Sequence, residues 1–116
     1  MAKDRLYLLR PGFEDPALDS GGKGWVCPAC CMVEGFLAAF PQVREAVDIT
    51  YYPFPRPRQA IVDLVGEDHQ GMPLLILAEP AEGPDVLHAN GLSFISAEKA
   101  ILRHLARKHG VAAPHP

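Results

Sequence analysis

The chain has 116 residues, enough for one domain with its own hydrophobic core and too few for two. Apolar residues make up 48% and charged residues 22%, an ordinary globular balance; a net charge of −3 with no long basic run argues against a nucleic-acid partner. No apolar run approaches bilayer length, and Met1-Ala2-Lys3-Asp4-Arg5 lacks the core of a signal peptide, so we expect a cytoplasmic protein with no membrane partner.

Residues 5–9 form a short apolar run suited to a buried strand. Residues 10–24 hold Pro11, Gly12, Pro16, Gly21, Gly22 and Gly24 and read as a long loop, a feature often tied to function. A helix follows over 28–40, with Pro28 at its first position and Pro41 stopping it. Residues 47–52 are β-branched and aromatic and predict a second strand. Pro53, Pro55 and Pro57 break the chain before a helix over 58–65, whose apolar positions 60, 61, 64 and 65 have helical spacing and which Gly66 can end. Residues 67–71 read as loop.

Met72-Pro73 introduces an apolar strand over 74–77. Residues 86–89 are a candidate fourth strand, close enough to the third to form a hairpin with it, and Asn90-Gly91 is a turn signal. Ser96 can cap a last helix over 97–109, ended by Gly110, with residues 111–116 as a tail. The expected order is β-α-β-α-β-β-α: an α/β domain over 1–116 with a mixed four-stranded sheet and three helices.

All three cysteines lie between Cys27 and Cys31, which rules out a multi-bridge secreted framework and points to redox or metal chemistry. Residues i, i+3 and i+4 of a helix share a face, so Cys27, Cys30 and Cys31 become neighbours if the helix starts at Pro28. A thiolate at the Cys27 cap position would meet unpaired backbone N–H groups and the positive end of the helix dipole, which favour the ionised, nucleophilic form. Cys30 is then placed to attack a mixed disulfide formed on Cys27. Cys31 reads as a packing residue, with a second resolving thiol or a third metal ligand as alternatives.

Trp25-Val26-Cys27-Pro28-Ala29-Cys30 resembles the aromatic-plus-C-P-x-C signature of glutaredoxins, and Met72-Pro73-Leu74-Leu75-Ile76-Leu77 resembles the cis-proline segment of the thioredoxin-like superfamily. The resemblance implies a thioredoxin-like fold with Cys27 as nucleophile and Cys30 as resolving thiol. It also implies a cis Pro73 facing Cys27, and a substrate surface that includes Trp25, Pro28 and Met72. Residues 96–102 resemble the serine turn and helix of the glutathione transferase N-terminal domain, which implies Ser96 as a further contact; plain helix capping is the other reading. In glutaredoxin-like folds basic residues at the positions of Arg56 and Arg58 can meet a glutathione carboxylate; the alternative is a solvated surface. The stretches 8–13, 56–60 and 113–116 resemble an uncharacterised bacterial family of this fold.

The leading expectation is therefore a thiol–disulfide oxidoreductase, acting on glutathione or protein disulfides with no tightly bound cofactor. The alternatives are a zinc or copper site on Cys27, Cys30 and Cys31, completed by His69 or His88, or a non-catalytic binding module.

Overall fold

In the computed structural model, which describes residues 2–116, β1 (Asp4–Leu9) is an inner strand of a mixed five-stranded sheet. Its side chains alternate between the two faces, as a strand requires: Leu6 and Leu8 are fully buried on one side, and Tyr7 packs on the other. Parallel to β1 lies β4 (Val47–Tyr52), and antiparallel to it lies β5 (Leu74–Ile76). The sheet continues through β7 (Leu92–Ile95) to the edge strand β6 (Leu87–Ala89).

Both faces are covered, which accounts for the apolar, non-alternating character of β5. On one face Leu6, Leu8, Leu75 and Ile95 pack with Val33 and Leu37 of α1 (Pro28–Ala39) and Ile101 and Leu105 of α4 (Glu98–His109). On the other, Leu74, Ile76 and Phe94 pack with Ile61 and Val65 of α3 (Gln59–Val65).

The sheet is larger than the four strands expected. Within the expected 86–89 strand, Leu87–Ala89 form β6 but do not pair with β5; β7 lies between them. The four residues after the Asn90-Gly91 turn, assigned to no element from the sequence, form β7. Both turn residues take positive φ, 51° and 78°, as a type I′ hairpin demands, so the turn joins β6 to β7. Within the expected 10–24 loop a small ribbon forms from β2 (Phe13–Glu14) and β3 (Gly24–Trp25). Pro41 ends α1 and immediately opens a fourth helix, α2 (Pro41–Ala46), because proline suits a first helical position. A 3₁₀ turn, Glu67–His69, occupies part of the expected 67–71 loop. Ser96 is not the cap of α4: Ala97 holds that position without a side-chain bond.

One buried charge closes the sheet's end. Asp4 is 2% exposed; its carboxylate accepts from the Ala78 amide at 2.8 Å and from Lys108 Nζ at 3.0 Å, with His104 Nε2 at 3.5 Å. Burial alone would push this carboxyl upward, but His104, the Ala78 amide and Lys108 together hold it well below the usual carboxylate range. A depressed folded-state value gives stability that is present above the unfolded value near pH 4 and lost as pH falls towards the folded one. Asp4→Asn is expected to cost about 2–3 kcal/mol at pH 7 and to flatten the acid limb of the stability curve, read by urea melts between pH 7 and 2.

Candidate functional site

The site is assembled where β1 ends and α1 begins. Cys27 is the N-cap of α1, in extended conformation, and Pro28 follows at the first helical position, exposed. The Cys30 amide donates to Cys27 Sγ at 3.2 Å, so the sulfur satisfies one of the orphan donors at the helix start. Against the other side of this sulfur stands the Met72 carbonyl oxygen, 3.9 Å away. The Met72–Pro73 peptide is cis, as the resemblance implies, and Pro73 is buried directly before β5.

Cys30 faces inward and is 4% exposed. Pairing with β5 reaches only Leu74, opposite Tyr7, so the Leu9 amide lies beyond that ladder; it donates to Cys30 Sγ at 3.4 Å instead. Burial pushes the Cys30 thiol up to about 12; the neighbouring Cys27 adds to the rise and the Leu9 amide opposes it. Cys31 is exposed, not a core packing residue. It shares a shallow hollow of about 40 Å³ with Cys27, Cys30, Glu34 and Tyr51. Glu34 accepts from the Tyr51 hydroxyl at 2.8 Å and from Arg44 Nη1 at 2.9 Å, which fixes the far wall of that hollow. Glu34 lies seven residues beyond Cys27, on the same helical face, and that spacing is the signal that could have marked it.

The other expected contacts lie on separate elements. Trp25 sits on β3 opposite Phe13, two residues before Cys27, with Lys23 Nζ 4.5 Å from its ring centroid. Arg56 is exposed, and its peptide to Pro57 is also cis. Ser96 is exposed just after β7, at the end of that strand which the pairing of Ile95 with Leu75 lays beside the start of β5 and Pro73.

Arg58 is neither a solvated residue nor free to grip a substrate carboxylate. It is 3% exposed, and its guanidinium donates to the Phe54 carbonyl from Nε at 3.0 Å and Nη2 at 2.7 Å, and to the Gln70 carbonyl from Nη1 at 2.7 Å. Its own amide donates to Gln70 Oε1 at 2.7 Å. Arg58 therefore ties the segment after β4 to the segment that carries Met72. Desolvation and the nearby Arg56 charge lower its pKa from the ordinary arginine value.

The proposed metal ligands do not converge. The His69 ring packs edge-on against Phe94, and His88 Nε2 faces the Ala81 carbonyl at 2.8 Å and Glu82 at 2.9 Å. Among the described residues no three His, Cys, Asp or Glu side chains are grouped to hold a metal ion. Among the same residues no helix is long and apolar enough to cross a membrane.

A family model described as "Protein of unknown function (DUF3088)" matches residues 3–113. The chain belongs to this family. No curated protein and no solved structure matches it. The DUF3088 match covers the whole sheet, α1 to α4 and all three cysteines, so the site described here lies within the family's shared region.

Proposed function

We propose that this DUF3088 protein is a thiol–disulfide oxidoreductase of thioredoxin-like fold, with Cys27 as nucleophile and Cys30 as resolving thiol. One observation carries the reading: Cys27 Sγ stands at a helix N-cap, held by the Cys30 amide and faced by the carbonyl that precedes a cis proline. The sheet order supports it, because the parallel pair β1 and β4 delivers the cysteines at the end of β1, and β5 delivers Pro73 beside them.

The Cys27 thiolate attacks one sulfur of a disulfide, forms a mixed disulfide and expels the other half as a thiolate. While Cys27 is an anion, its charge helps keep Cys30 protonated. The mixed disulfide removes that charge. Cys30 then gives up its proton and attacks Cys27 Sγ, which closes the Cys27–Cys30 bond and releases the second half as a thiol. The protein has given two electrons to the substrate; an external thiol, with glutathione or a protein dithiol as donor, restores it and is itself oxidised. Thiols kept free for such a cycle suit the reducing cytoplasm.

The test is direct. Protein treated with glutathione disulfide should form an intramolecular Cys27–Cys30 bond, located by mass spectrometry of its peptides, with a reduction potential measurable against glutathione. If Cys31 alone is oxidised and Cys27 and Cys30 stay reduced, the proposal is wrong.

A further inference from the structure

A second concavity, about 370 Å³ in volume, adjoins the cysteine hollow and shares Pro11 with it. It opens at the carboxyl ends of the parallel pair β1 and β4, between the chain leaving β1 and the chain leaving β4. Ligands of open α/β sheets gather at such carboxyl ends. Its walls are Pro11, Pro16, Pro53 and Pro55 with the rings of Phe13 and Phe54, which stack 4.3 Å apart and within 3° of parallel. That volume lies at the small end of ligand sites, sized for a small molecule and not for a folded partner.

Two charges line the cleft, Arg10 and Glu14. Glu14 turns back towards the neighbouring loop, where its Oε1 lies 3.2 Å from the position a Cβ on Gly22 would take. Arg10 is exposed, and among the described residues its guanidinium holds no ion pair. The cleft thus combines flat apolar walls with one uncommitted cation, next to a thiol.

We propose that this cleft seats one half of a low-molecular-weight disulfide that carries a flat ring and a carboxylate, with the ring against Phe13 and Phe54 and the carboxylate on Arg10. The assignment rests on the reading of Cys27 as the attacking thiol. In the step it serves, Cys27 Sγ bonds to one substrate sulfur, the substrate S–S bond breaks, and the other half leaves as a thiolate. Closure of the Cys27–Cys30 bond then releases the bound half as a thiol, and dithiothreitol can serve as the reductant that resets the protein.

Three disulfides separate the contributions: 5,5′-dithiobis(2-nitrobenzoate), with ring and carboxylate; 4,4′-dithiodipyridine, with a ring and no carboxylate; and bis(2-hydroxyethyl) disulfide, with neither. Second-order rates are measured on a Cys30→Ser, Cys31→Ser background, so that the exposed thiol does not contribute and the adduct stays trapped on Cys27, where mass spectrometry locates it. Arg10→Met should slow the nitrobenzoate probe by about two- to fivefold and leave the hydroxyethyl probe unchanged. Added salt should erase that difference. Phe54→Leu should slow both ring-bearing probes by about two- to tenfold relative to the hydroxyethyl probe, whose rate also checks that the fold survives. Equal slowing of all three probes, or unchanged ratios between their rates, overturns the cleft assignment while Cys27 remains the nucleophile. If none of the probes reacts at Cys27, the oxidoreductase reading falls and the cleft assignment falls with it.

Discussion

Replacing Cys27 with serine is expected to reduce disulfide turnover to the uncatalysed background, while Cys30→Ser leaves a protein that attacks once and stops. The asymmetry follows from where the two sulfurs sit. Cys27 Sγ is half-exposed at the helix cap with the Met72 carbonyl beside it, and a serine hydroxyl there is far too weakly acidic to supply the attacking anion. Cys30 is buried behind it, and a serine in its place keeps an acceptor for the Leu9 amide, so the fold is retained. A Cys30→Ser protein exposed to a disulfide substrate should therefore accumulate a mixed disulfide on Cys27, visible as a mass increase that dithiothreitol removes. Cys31→Ser should leave turnover unchanged, because that thiol points to solvent. Full activity in Cys27→Ser, or failure of Cys30→Ser to trap an adduct, would contradict the assignment of roles.

The second large effect is expected at Arg58, in stability. Arg58→Met keeps the aliphatic length but leaves the Phe54 and Gln70 carbonyls without their donors in a buried setting. Stranding buried acceptors of a charged donor costs about 3 kcal/mol, and for a domain of this size that is a fall in Tm on the order of 10 °C. Lysine should not rescue it, since a single ammonium cannot span both carbonyls as the planar fork does. Arg56→Gln is the control: Arg56 is exposed, and its replacement should stay within about 0.5 kcal/mol. Thermal melts of the three variants read the difference, and a Tm for Arg58→Met equal to wild type would remove the clamp from the account.

What was legible in the sequence were the features set by local chemistry. The strand at β1, the proline-led helix at Pro28, the cysteine at its cap and the glycine ending α4 each follow from a few adjacent residues, and each is present. The errors came where meaning depends on distant partners. Asn90-Gly91 is a turn in any reading, and the residues after it pair back on β6; the pairing of Phe94 with Ile76 is what places β7 between β6 and β5. Arg56 and Arg58 look alike as letters, two positions apart. One stays in water and the other is buried, because Phe54 and Gln70 offer carbonyls to Arg58 across an interval the local pattern does not mark. Cys31 is exposed and not packed because a helix turns by 100° per residue, so the position after the buried Cys30 is carried outward.

The clamp has a consequence for how this family can diversify. The Met72 carbonyl that faces Cys27 Sγ belongs to a segment pinned by one side chain, and the inter-strand ladder begins only after it. Insertions or exchanges between the 3₁₀ turn and the cis peptide would therefore remodel the surface that greets an incoming molecule while strand registration stays untouched. New preferences can arise there by drift, at the risk of one anchor and not of the whole scaffold.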